Sequence, residues 1–493
     1  MWENSSEQHR QCYRALSARD SRFDGVFFTG VKTTGIYCRP VCGVKTPKPS
    51  SCVFFTTAAA AEAAGFRPCL RCRPELAPYA VQQNLAHAIW QRIADGALNQ
   101  RTAEDLAGEV GLSSRQLRRV LHQEFGVSPV ELAQTQRLLF AKKLLQETAL
   151  SITDIAYAAG FGSVRRLNAL FAERYQLTPG AIRKVSANAD KESIVLRLAY
   201  RPPYAWQALT GYLRGRAMPG LEAVWEEAGA PVYARTVCLE QHRGWIRVSC
   251  QPERQQLALE VAPALIPVLQ PLIARVRQQF DLEANPLVVA AQLSQDAMLA
   301  PLIERWPGLR VPGAFDHFEL AMRAVLGQQV SVAGATTVAG RLVERFGEAE
   351  STPFAQINRH FPTPQNLLKL STEELATIGI PRSRAATLQE VARFAASGAL
   401  EKKPGTTLDE FIARMTALPG IGNWTAQYVA MRAMRYADAF PAGDLGLQKA
   451  AALLAGGDSV RWSEKQLSEY AGNWSPWRAY GALLLWQSLS TDC

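Results

Sequence analysis

The spacing of hydrophobic and polar residues changes several times along the chain. Residues 1–78 show no sustained periodicity and predict a loop-rich segment, whereas apolar residues recur at helical spacing through residues 81–184. Helical patterning resumes near Phe315 and continues to the end. Between these regions lie stretches typical of strands, at Ile194–Leu198, Val232–Val237 and Trp245–Ser249. The pattern predicts a multidomain, α-rich α+β protein, and 493 residues suffice for about three or four domains.

The first helical region contains an internal near-repeat. Thr102–Ser113 and Ser151–Gly162 each begin with a residue that caps helices, followed by an acid and then a glycine where two helices cross. A second helix follows in each copy, predicted at Ser114–Glu124 and at Ser163–Arg174. These second helices carry the basic residues Arg115, Arg118, Arg119, Arg165 and Arg166. Paired helix-turn-helix units with basic second helices are typical of proteins that read the DNA major groove; a helical bundle with solvated arginines is the alternative.

Two close pairs of cysteines lie near the N-terminus. The four residues are Cys38, Cys42, Cys69 and Cys72. Two such pairs separated by a loop supply the ligands of a tetrahedral Zn²⁺ site. Arginines crowd them at positions Arg39, Arg67, Arg71 and Arg73. A structural zinc site does not need these charges, so we predict that the first three arginines contact DNA phosphate; a purely structural zinc site is the alternative.

The charge balance favours nucleic acid as a partner. The formal net charge is +10, and most of it falls within residues 1–190, which is the electrostatic footprint of a protein that binds a polyanion. A basic protein without such a partner is the alternative. No apolar run approaches the roughly 20 residues of a membrane span, and the N-terminus shows no signal segment. We therefore expect a cytoplasmic, nucleoid-associated protein with no membrane partner.

The first 185 residues resemble two known families. Thr33–Pro40, Cys42 and Gly65–Cys72 match the zinc domain of Ada-type adaptive-response proteins. The paired helix-turn-helix, including Phe125–Pro129 and Tyr175–Pro179, resembles the AraC family of transcription activators. The Ada resemblance implies that Cys38 irreversibly takes a methyl group from a methylphosphotriester in DNA while it remains a zinc ligand. The cysteine spacing alone does not show which of the four reacts.

Elementary chemistry favours such a methyl transfer to a zinc-bound cysteine. A phosphotriester is neutral, so a thiolate approaches it more readily than it approaches a diester, and zinc keeps the thiol deprotonated. Methylation removes one negative charge from a surface that faces DNA, so DNA affinity should rise. Ada-type proteins usually carry a second methyltransferase domain with the run Pro-Cys-His-Arg. This chain has no such run, so repair of O6-alkylguanine is not predicted.

A glycine-containing turn lies in the C-terminal half. The run Leu418–Gly422 stands between amphipathic stretches, and glycines at Gly420 and Gly422 let the backbone approach a phosphate and point N–H groups at it. Asp444 follows in the loop Phe440–Leu447. A hairpin followed by an acid in a loop is the arrangement of the helix-hairpin-helix DNA glycosylases. A turn between core helices and a simple helix N-cap are the alternative interpretations.

Residues 192–493 resemble the AlkA-type alkylbase DNA glycosylases. Besides the hairpin and the Asp444 loop, the matching stretches are Tyr200–Trp206, Val311–Asp316, Leu326–Ser331 and Trp474–Tyr480. The resemblance implies that Asp444 stabilises the developing oxocarbenium sugar. It further implies a pocket for an extruded, positively charged base, lined by Trp424, Tyr428 and Trp486. For each of these aromatics, plain core packing is the alternative.

Two departures refine the implied activity. Trp424 stands where strand-cleaving relatives have a Schiff-base lysine, so base excision without strand cleavage is predicted. Gln329 stands where the family has an apolar residue that wedges into DNA, so unstacking of the base is expected to be weaker.

Together these features predict four domains and two repair chemistries. The domains are a zinc domain at 1–80, a double helix-turn-helix domain at 81–185, an α+β sheet domain at 192–308 and a helical glycosylase domain at 309–493. The expected partners are double-stranded DNA, Zn²⁺ and RNA polymerase, and the expected state is a monomer. The alternatives are a glycosylase whose N-terminal modules only target DNA around a structural zinc, and a transcription regulator with degenerate repair domains.

Overall fold

Packing divides the chain into two units. The computed structural model describes residues 7–77, 85–99, 101–183, 193–403, 405–456 and 460–490. The first unit comprises Met1–Arg201, Gln251–Ala274 and Lys403–Gly405, and the second comprises Pro202–Cys250, Arg275–Lys402 and Thr406–Cys493. These units do not coincide with the four predicted domains. The predicted boundaries near residue 80 and at 185–192 lie outside the described residues, so the four-domain division stays a prediction.

Helices make up most of the regular structure. The α-helices of the N-terminal part are α1 (Glu7–Ala18), α2 (Ala58–Ala63), α3 (Leu85–Ala94), α4 (Ala103–Glu109), α5 (Ser114–Phe125), α6 (Pro129–Glu147), α7 (Ile152–Ala158), α8 (Val164–Tyr175) and α9 (Pro179–Ile182). Further along the chain are α10 (Trp206–Arg214), α11 (Leu269–Gln279), α12 (Pro286–Leu293), α13 (Ala300–Arg305), α14 (His317–Leu326), α15 (Val332–Phe346), α16 (Pro364–Leu367), α17 (Thr372–Ala376), α18 (Arg382–Ala396), α19 (Leu408–Thr416), α20 (Asn423–Arg432), α21 (Leu445–Leu454), α22 (Glu464–Tyr470) and α23 (Arg478–Ser488). None of the described helices has the length and hydropathy required to cross a membrane.

Short strands build the segment that the sequence predicted as loop-rich. They are β1 (Phe28–Val31), β2 (Ile36–Cys38), β3 (Cys52–Phe55) and β4 (Arg67–Pro68), in the sheet order β3-β1-β2-β4. β1 is antiparallel to both β2 and β3, and β2 is parallel to β4. Every residue of β3 is buried, so the strand has no polar face and shows no alternation. The strands are also only two to four residues long, too short for the sequence pattern to indicate this small sheet.

The near-repeat folds into two helix-turn-helix units, as predicted. α4 and α5 form the first, and the side chains of Thr102 and Ser113 accept N–H groups in the first turn of the helix that each one caps. α7 and α8 form the second, with Ser151 and Ser163 in the same role. Because Ser163 is a cap, α8 begins one residue later than predicted, at Val164. We call α5 and α8 the first and second recognition helices.

Buried charges join the cysteine-rich N-terminal segment, through Arg73 and Glu75, to helix α6. The Glu147 carboxylate lies 2.6 Å from the Arg73 guanidinium and 3.1 Å from the Lys143 ammonium. Glu75 lies 3.0 Å from Arg73 and 2.5 Å from Lys142. The side chains of Glu75 and Glu147 are 2% and 1% exposed, respectively. Because each buried carboxylate faces two cations, removal of one member leaves an uncompensated charge in the interior.

We expect Glu147→Ala to destabilise the first unit by about 3–5 kcal/mol, because Arg73 and Lys143 stay buried without their carboxylate. Urea unfolding followed by circular dichroism measures this loss. The matched control is Glu173→Ala on α8, where the side chain is exposed. The control should change the free energy of unfolding by no more than about 0.5 kcal/mol, as is usual at surface positions. Equal effects of the two substitutions would contradict the role given to the buried network.

Five further strands follow the helix-turn-helix units. They are β5 (Ile194–Ala199), β6 (Glu222–Glu227), β7 (Ala230–Leu239), β8 (His242–Gln251) and β9 (Gln256–Val261). In the first unit β5 and β9 are antiparallel, with Ile194 opposite Val261. In the second unit β6, β7 and β8 form an antiparallel meander with β7 in the middle. The three strands predicted from the sequence lie within β5, β7 and β8, which confirms those predictions.

The core of the second unit holds a helical hairpin in place. α19 and α20 enclose the turn, in which Gly420 has φ +82° and lies against Thr387. A Cβ atom on Gly420 would approach the Thr387 Oγ1 to 2.1 Å, so both the backbone angle and the space require glycine. Gly481 of α23 also packs closely against the fully buried Trp474 indole, where a Cβ atom would lie 2.6 Å from a ring carbon. The two glycines thus let the hairpin turn and α23 pack tightly in the core.

Candidate zinc centre and aromatic cleft

The four cysteines of the predicted metal site meet at one end of the small sheet. Cys38 ends β2, and Cys69 follows β4, held by a hydrogen bond from its amide to the Tyr37 carbonyl oxygen at 3.0 Å. The Cys42 amide donates to the Arg39 carbonyl oxygen at 3.1 Å, which forms the turn between the first two ligands. All four Sγ atoms, including that of Cys72, lie within 4.8 Å of one another. Tetrahedral Zn²⁺ with Zn–S bonds of about 2.3 Å requires a sulfur cluster of this size.

The arginines around this cluster differ in orientation. Arg39 is turned inward: its Nε donates to Asp24 at 2.9 Å and its Nη1 to the Cys72 carbonyl oxygen at 3.2 Å. Arg73 is also held internally, by Glu75 and Glu147. Only Arg67 and Arg71 of the four are exposed. Buried carboxylates thus bind the guanidinium groups of Arg39 and Arg73.

The Arg39 side chain instead orders the ligand loop. The backbone N–H of Arg39 donates to the Cys72 Sγ, with 3.4 Å between nitrogen and sulfur. Burial lowers the pKa of the Arg39 guanidinium, but the charge and hydrogen bond of Asp24, with smaller contributions from other anionic groups, outweigh it and raise the pKa. This geometry suits a residue that positions Cys72; contact of Arg39 with DNA stays an untested prediction.

The basic residues of the two recognition helices lie on the outside. The exposed side chains are Arg115, Arg118 and Arg119 of α5 and Arg165 and Arg166 of α8. The opposite faces of both helices are buried, through Leu117 and Leu121 in α5 and through Leu167 in α8. The exposed arginines are thus available to a polyanion without disturbing the core.

Asp444 lies at the N-terminus of α21, with both carboxylate oxygens engaged. Oδ1 accepts the Leu447 amide at 3.0 Å and the Trp486 indole N–H at 3.0 Å. Oδ2 accepts the Trp424 indole N–H at 3.0 Å. The residue is therefore a helix N-cap, as the alternative interpretation held, and at the same time a fixed charge. These three donors fix the orientation of the carboxylate plane.

Asp444 faces a cleft with a volume of about 1050 Å³. The lining includes all the predicted pocket and hairpin residues, namely Gln329, Gly420, Gly422, Trp424, Tyr428 and Trp486. The Trp424 and Tyr428 rings, one helical turn apart on α20, are stacked with centroids 5.5 Å apart and an interplanar angle of 12°. The Trp486 ring lies 6.2 Å from Tyr428 at 70°. We call this site the aromatic cleft.

The floor of the aromatic cleft carries a network of phenol and guanidinium groups. Arg432 Nη1 donates to the Tyr428 hydroxyl at 2.7 Å, and the Tyr212 hydroxyl lies 3.4 Å from the same oxygen. Burial alone raises the pKa of Tyr428, but the charges of Arg432 and Arg216 outweigh it and lower the pKa to about 8. The two guanidinium groups therefore stabilise the phenolate form of this tyrosine.

The sequence did not single out Tyr212 or Arg216. Tyr212 lies on α10, and the centroid of its ring lies 3.7 Å from the guanidinium carbon of Arg216. Both residues line the cleft. No local motif marks them, because they reach Tyr428 only through the folding of segments about 200 positions apart.

The loop that carries Gln329 is tied to the hairpin. Gln328 Nε2 donates to the Gly420 carbonyl oxygen at 2.9 Å and to the Thr425 hydroxyl at 3.0 Å. Arg384 Nη2 donates to the Gln328 carbonyl oxygen at 2.8 Å. Gln329 itself is exposed and has φ +56°, in the left-handed region that is strained for a residue with a Cβ atom. These contacts hold the Gln329 side chain at the rim of the cleft.

Four family models match successive parts of the chain. They are the metal binding domain of Ada at residues 11–75, a helix-turn-helix domain at 106–185, the AlkA N-terminal domain at 195–316 and the HhH-GPD superfamily of base excision DNA repair proteins at 322–476. The match to the Ada metal binding domain and the clustered cysteines together identify the sulfur cluster as a Zn²⁺ site.

Relatives with curated names agree with this division. A Mycobacterium tuberculosis protein described as a "Probable bifunctional transcriptional activator/DNA repair enzyme AlkA" is 35% identical, over 98% of this chain and 97% of its own. "DNA-3-methyladenine glycosylase 2" of Escherichia coli is 32% identical, over 59% of this chain and 95% of its own. The solved structure of an Archaeoglobus fulgidus 3-methyladenine DNA-glycosylase has the same fold over 60% of this chain and 99% of its own, with a TM-score of 0.52 and 22% identity. The chain thus belongs to the family of bifunctional transcriptional activator/DNA repair enzymes in which Ada-type zinc and helix-turn-helix domains are joined to an AlkA-type glycosylase.

Proposed function

We propose that the aromatic cleft excises alkylated bases of the 3-methyladenine type from double-stranded DNA. The observation that carries this proposal is the fixed Asp444 carboxylate at a cleft lined by four aromatic rings. An alkylated purine is a cationic leaving group and needs little acid catalysis. The faces of these rings attract such a base once it leaves the DNA stack.

Asp444 supplies the remaining part of this chemistry. As the glycosidic bond breaks, its electron pair leaves with the base and positive charge develops on the sugar. A carboxylate held by two indole N–H groups stabilises that charge without rearrangement. Water then bonds to the sugar carbon and loses one proton to solvent, which leaves an abasic site. In the same proposal, the Gly420–Gly422 turn holds a DNA phosphate, and Gln329 occupies the space that the extruded base vacates.

The products of this reaction should be intact strands that carry abasic sites. Among the residues that the structure describes, none that lines the cleft is a lysine, and Trp424 offers no amine for a Schiff base. We expect the strands to break only on alkaline or heat treatment, as measured on denaturing gels. A protein–DNA adduct trapped by borohydride would contradict this prediction.

For the zinc centre, we propose single-turnover methyl transfer from a DNA methylphosphotriester to Cys38. The sulfur forms a bond to the methyl carbon while the carbon–oxygen bond breaks, and the phosphodiester anion leaves. Bound Zn²⁺ keeps the four sulfurs in the thiolate form. Exposed Arg67 and Arg71 are suited to hold the flanking phosphates. Assignment of the reaction to Cys38 rests on the Ada resemblance.

Methylated protein is proposed to activate transcription by binding promoter DNA as a monomer and contacting RNA polymerase. Loss of one negative charge should increase its affinity for specific DNA at low salt. The gain should shrink as salt rises, because screening weakens the electrostatic part of binding. Gel-shift titrations of methylated and unmethylated protein over a range of salt concentrations measure this. Equal affinities at low salt would refute the charge-based switch.

One experiment separates this function from its alternatives. The full-length protein is incubated with DNA treated with a methylating agent, and both released bases and methylated cysteine are measured by mass spectrometry. Base release without cysteine methylation would indicate a glycosylase with a structural zinc. Neither product would indicate a transcription regulator with degenerate repair domains. Both products are expected.

A further inference from the structure

A buried carboxylate links the zinc-binding segment to the helix-turn-helix units. Glu62 lies on α2 and is 5% exposed. The Tyr37 hydroxyl donates to its Oε1 at 3.0 Å, and the Tyr175 hydroxyl donates to the same oxygen at 3.3 Å. The Thr135 hydroxyl donates to Oε2 at 2.9 Å. We call these four residues the Glu62 hub.

The members of the Glu62 hub come from functionally different elements. Tyr37 precedes Cys38 on β2. Thr135 lies on α6, the long helix between the two helix-turn-helix units. Tyr175 is the last residue of the second recognition helix. The hub therefore connects the strand that presents the methyl-acceptor cysteine to the end of a helix that carries exposed arginines.

Neighbouring residues of β2 point in opposite directions, as in any strand. The Cys38 side chain packs with Cys42 and Cys69, whereas the Tyr37 ring packs with Phe28 and other apolar residues on the far side of the sheet. A change in the size or charge of the Cys38 side chain can therefore shift the strand. The same shift moves the Tyr37 hydroxyl relative to its carboxylate acceptor.

The Glu62 carboxylate depends on its three hydroxyl partners. Burial raises the pKa of Glu62 to about 7, while the hydrogen bonds from Thr135 and Tyr37 oppose that rise. A buried acceptor that loses a donor bears a desolvation penalty that water does not relieve. Displacement of one hydroxyl therefore alters the energy of the whole hub, including the bond that fixes Tyr175.

We propose that Glu62 is a positioning residue that couples the methylation state of Cys38 to the placement of the second recognition helix. In this respect the inference rests on the methyl transfer proposed above. Methylation converts a charged thiolate into a larger, neutral thioether at the end of β2. The resulting shift of Tyr37 redistributes the hydrogen bonds at Glu62 and changes the position of Tyr175, and with it the arginines of α8.

The first test does not require methylation. Tyr37→Phe, in the zinc-loaded full-length protein, should increase hydrogen exchange at the C-terminal end of α8 about fivefold, the effect of losing one net hydrogen bond. Tyr13→Phe is the matched control, because its hydroxyl bonds the Pro47 carbonyl oxygen at 3.0 Å in the same segment, away from the hub. The control should leave exchange in α8 unchanged. Unchanged exchange in both variants would overturn the coupling.

The second test measures the gain in DNA affinity on methylation. Tyr175→Phe and Thr135→Val should take up methyl like the wild type but show a gain about fivefold smaller, since each loses one hydrogen bond of the hub. If these residues were only structural, the substitutions would lower thermal stability but leave unchanged the ratio of the DNA affinities of methylated and unmethylated protein. Glu62→Gln keeps the size of the side chain and one acceptor oxygen. It should therefore show a larger gain in DNA affinity on methylation than Glu62→Ala.

The two tests separate this proposal from the one on which it rests. If the wild-type protein takes up no methyl, the methyl transfer is refuted, and the exchange measurement still decides whether Tyr37 and α8 are coupled. If methyl uptake occurs and the affinity ratio is the same in wild type, Tyr175→Phe and Thr135→Val, the coupling is refuted and the methyl transfer stands.

Discussion

Replacement of Asp444 by asparagine is expected to lower the rate of base release by about a hundredfold or more, the effect of removing one preorganised charge at a reacting centre. Asparagine keeps the size of the side chain and can still accept the Leu447 amide and the Trp486 indole N–H. Its amide nitrogen would then face the Trp424 N–H, so one hydrogen bond is also lost. DNA binding should persist, because the hairpin turn and the aromatic rings remain. Single-turnover base release from methylated DNA measures the effect.

The matched control for this substitution is Asp438→Asn. Asp438 lies in the same unit and accepts two hydrogen bonds from Arg478, each at 2.8 Å. It is not among the residues that line the aromatic cleft. The control removes the same charge and should leave base release close to the wild-type rate. Activity that survives in Asp444→Asn, or falls equally in both variants, would rule out the role assigned to Asp444.

Replacement of Cys38 by alanine is expected to abolish methyl uptake and to leave base release near normal. The zinc centre belongs to the first unit and Asp444 to the second, so the two chemistries use separate groups. Mass spectrometry of the protein after incubation with methylated DNA measures methyl uptake, and released bases are measured in the same sample. Cys238→Ala is the control, because Cys238 is a free cysteine outside the sulfur cluster. Parallel loss of both activities in Cys38→Ala would contradict this separation.

Cys69→Ala distinguishes a reactive ligand from a structural one. Structural Zn²⁺ sites contribute on the order of 10 kcal/mol to folding, so loss of a ligand should unfold the zinc-binding segment. Cys38→Ala also removes a ligand, so zinc content is measured in both variants. A protein that keeps its zinc and its fold in Cys38→Ala but takes up no methyl would support Cys38 as the acceptor. Methyl uptake in Cys38→Ala would refute that assignment.

Local features of the sequence were sufficient to predict much of the fold. The caps at Thr102 and Ser151, followed by acids and glycines, predicted both helix-turn-helix units to within one residue at their starts, because capping depends on neighbours a few positions away. Runs of strand-forming residues predicted β5, β7 and β8, because this signal is also local. The small sheet around the zinc centre escaped prediction because its strands are only two to four residues long.

The sequence by itself determined the residue types of both sites: four cysteines with zinc spacing, a hairpin with two glycines, and an acid in the following loop. These signals are local: each motif consists of residues a few positions apart and can be recognised without knowledge of the rest of the fold. The tertiary structure decided the direction and the partners of the side chains. It turned Arg39 toward Asp24, and it set the indoles of α20 and α23 on the two oxygens of Asp444. It also buried Glu62 among three hydroxyls from separate elements. Such contacts join residues far apart in the chain, where no periodic pattern or spacing records which atoms will meet.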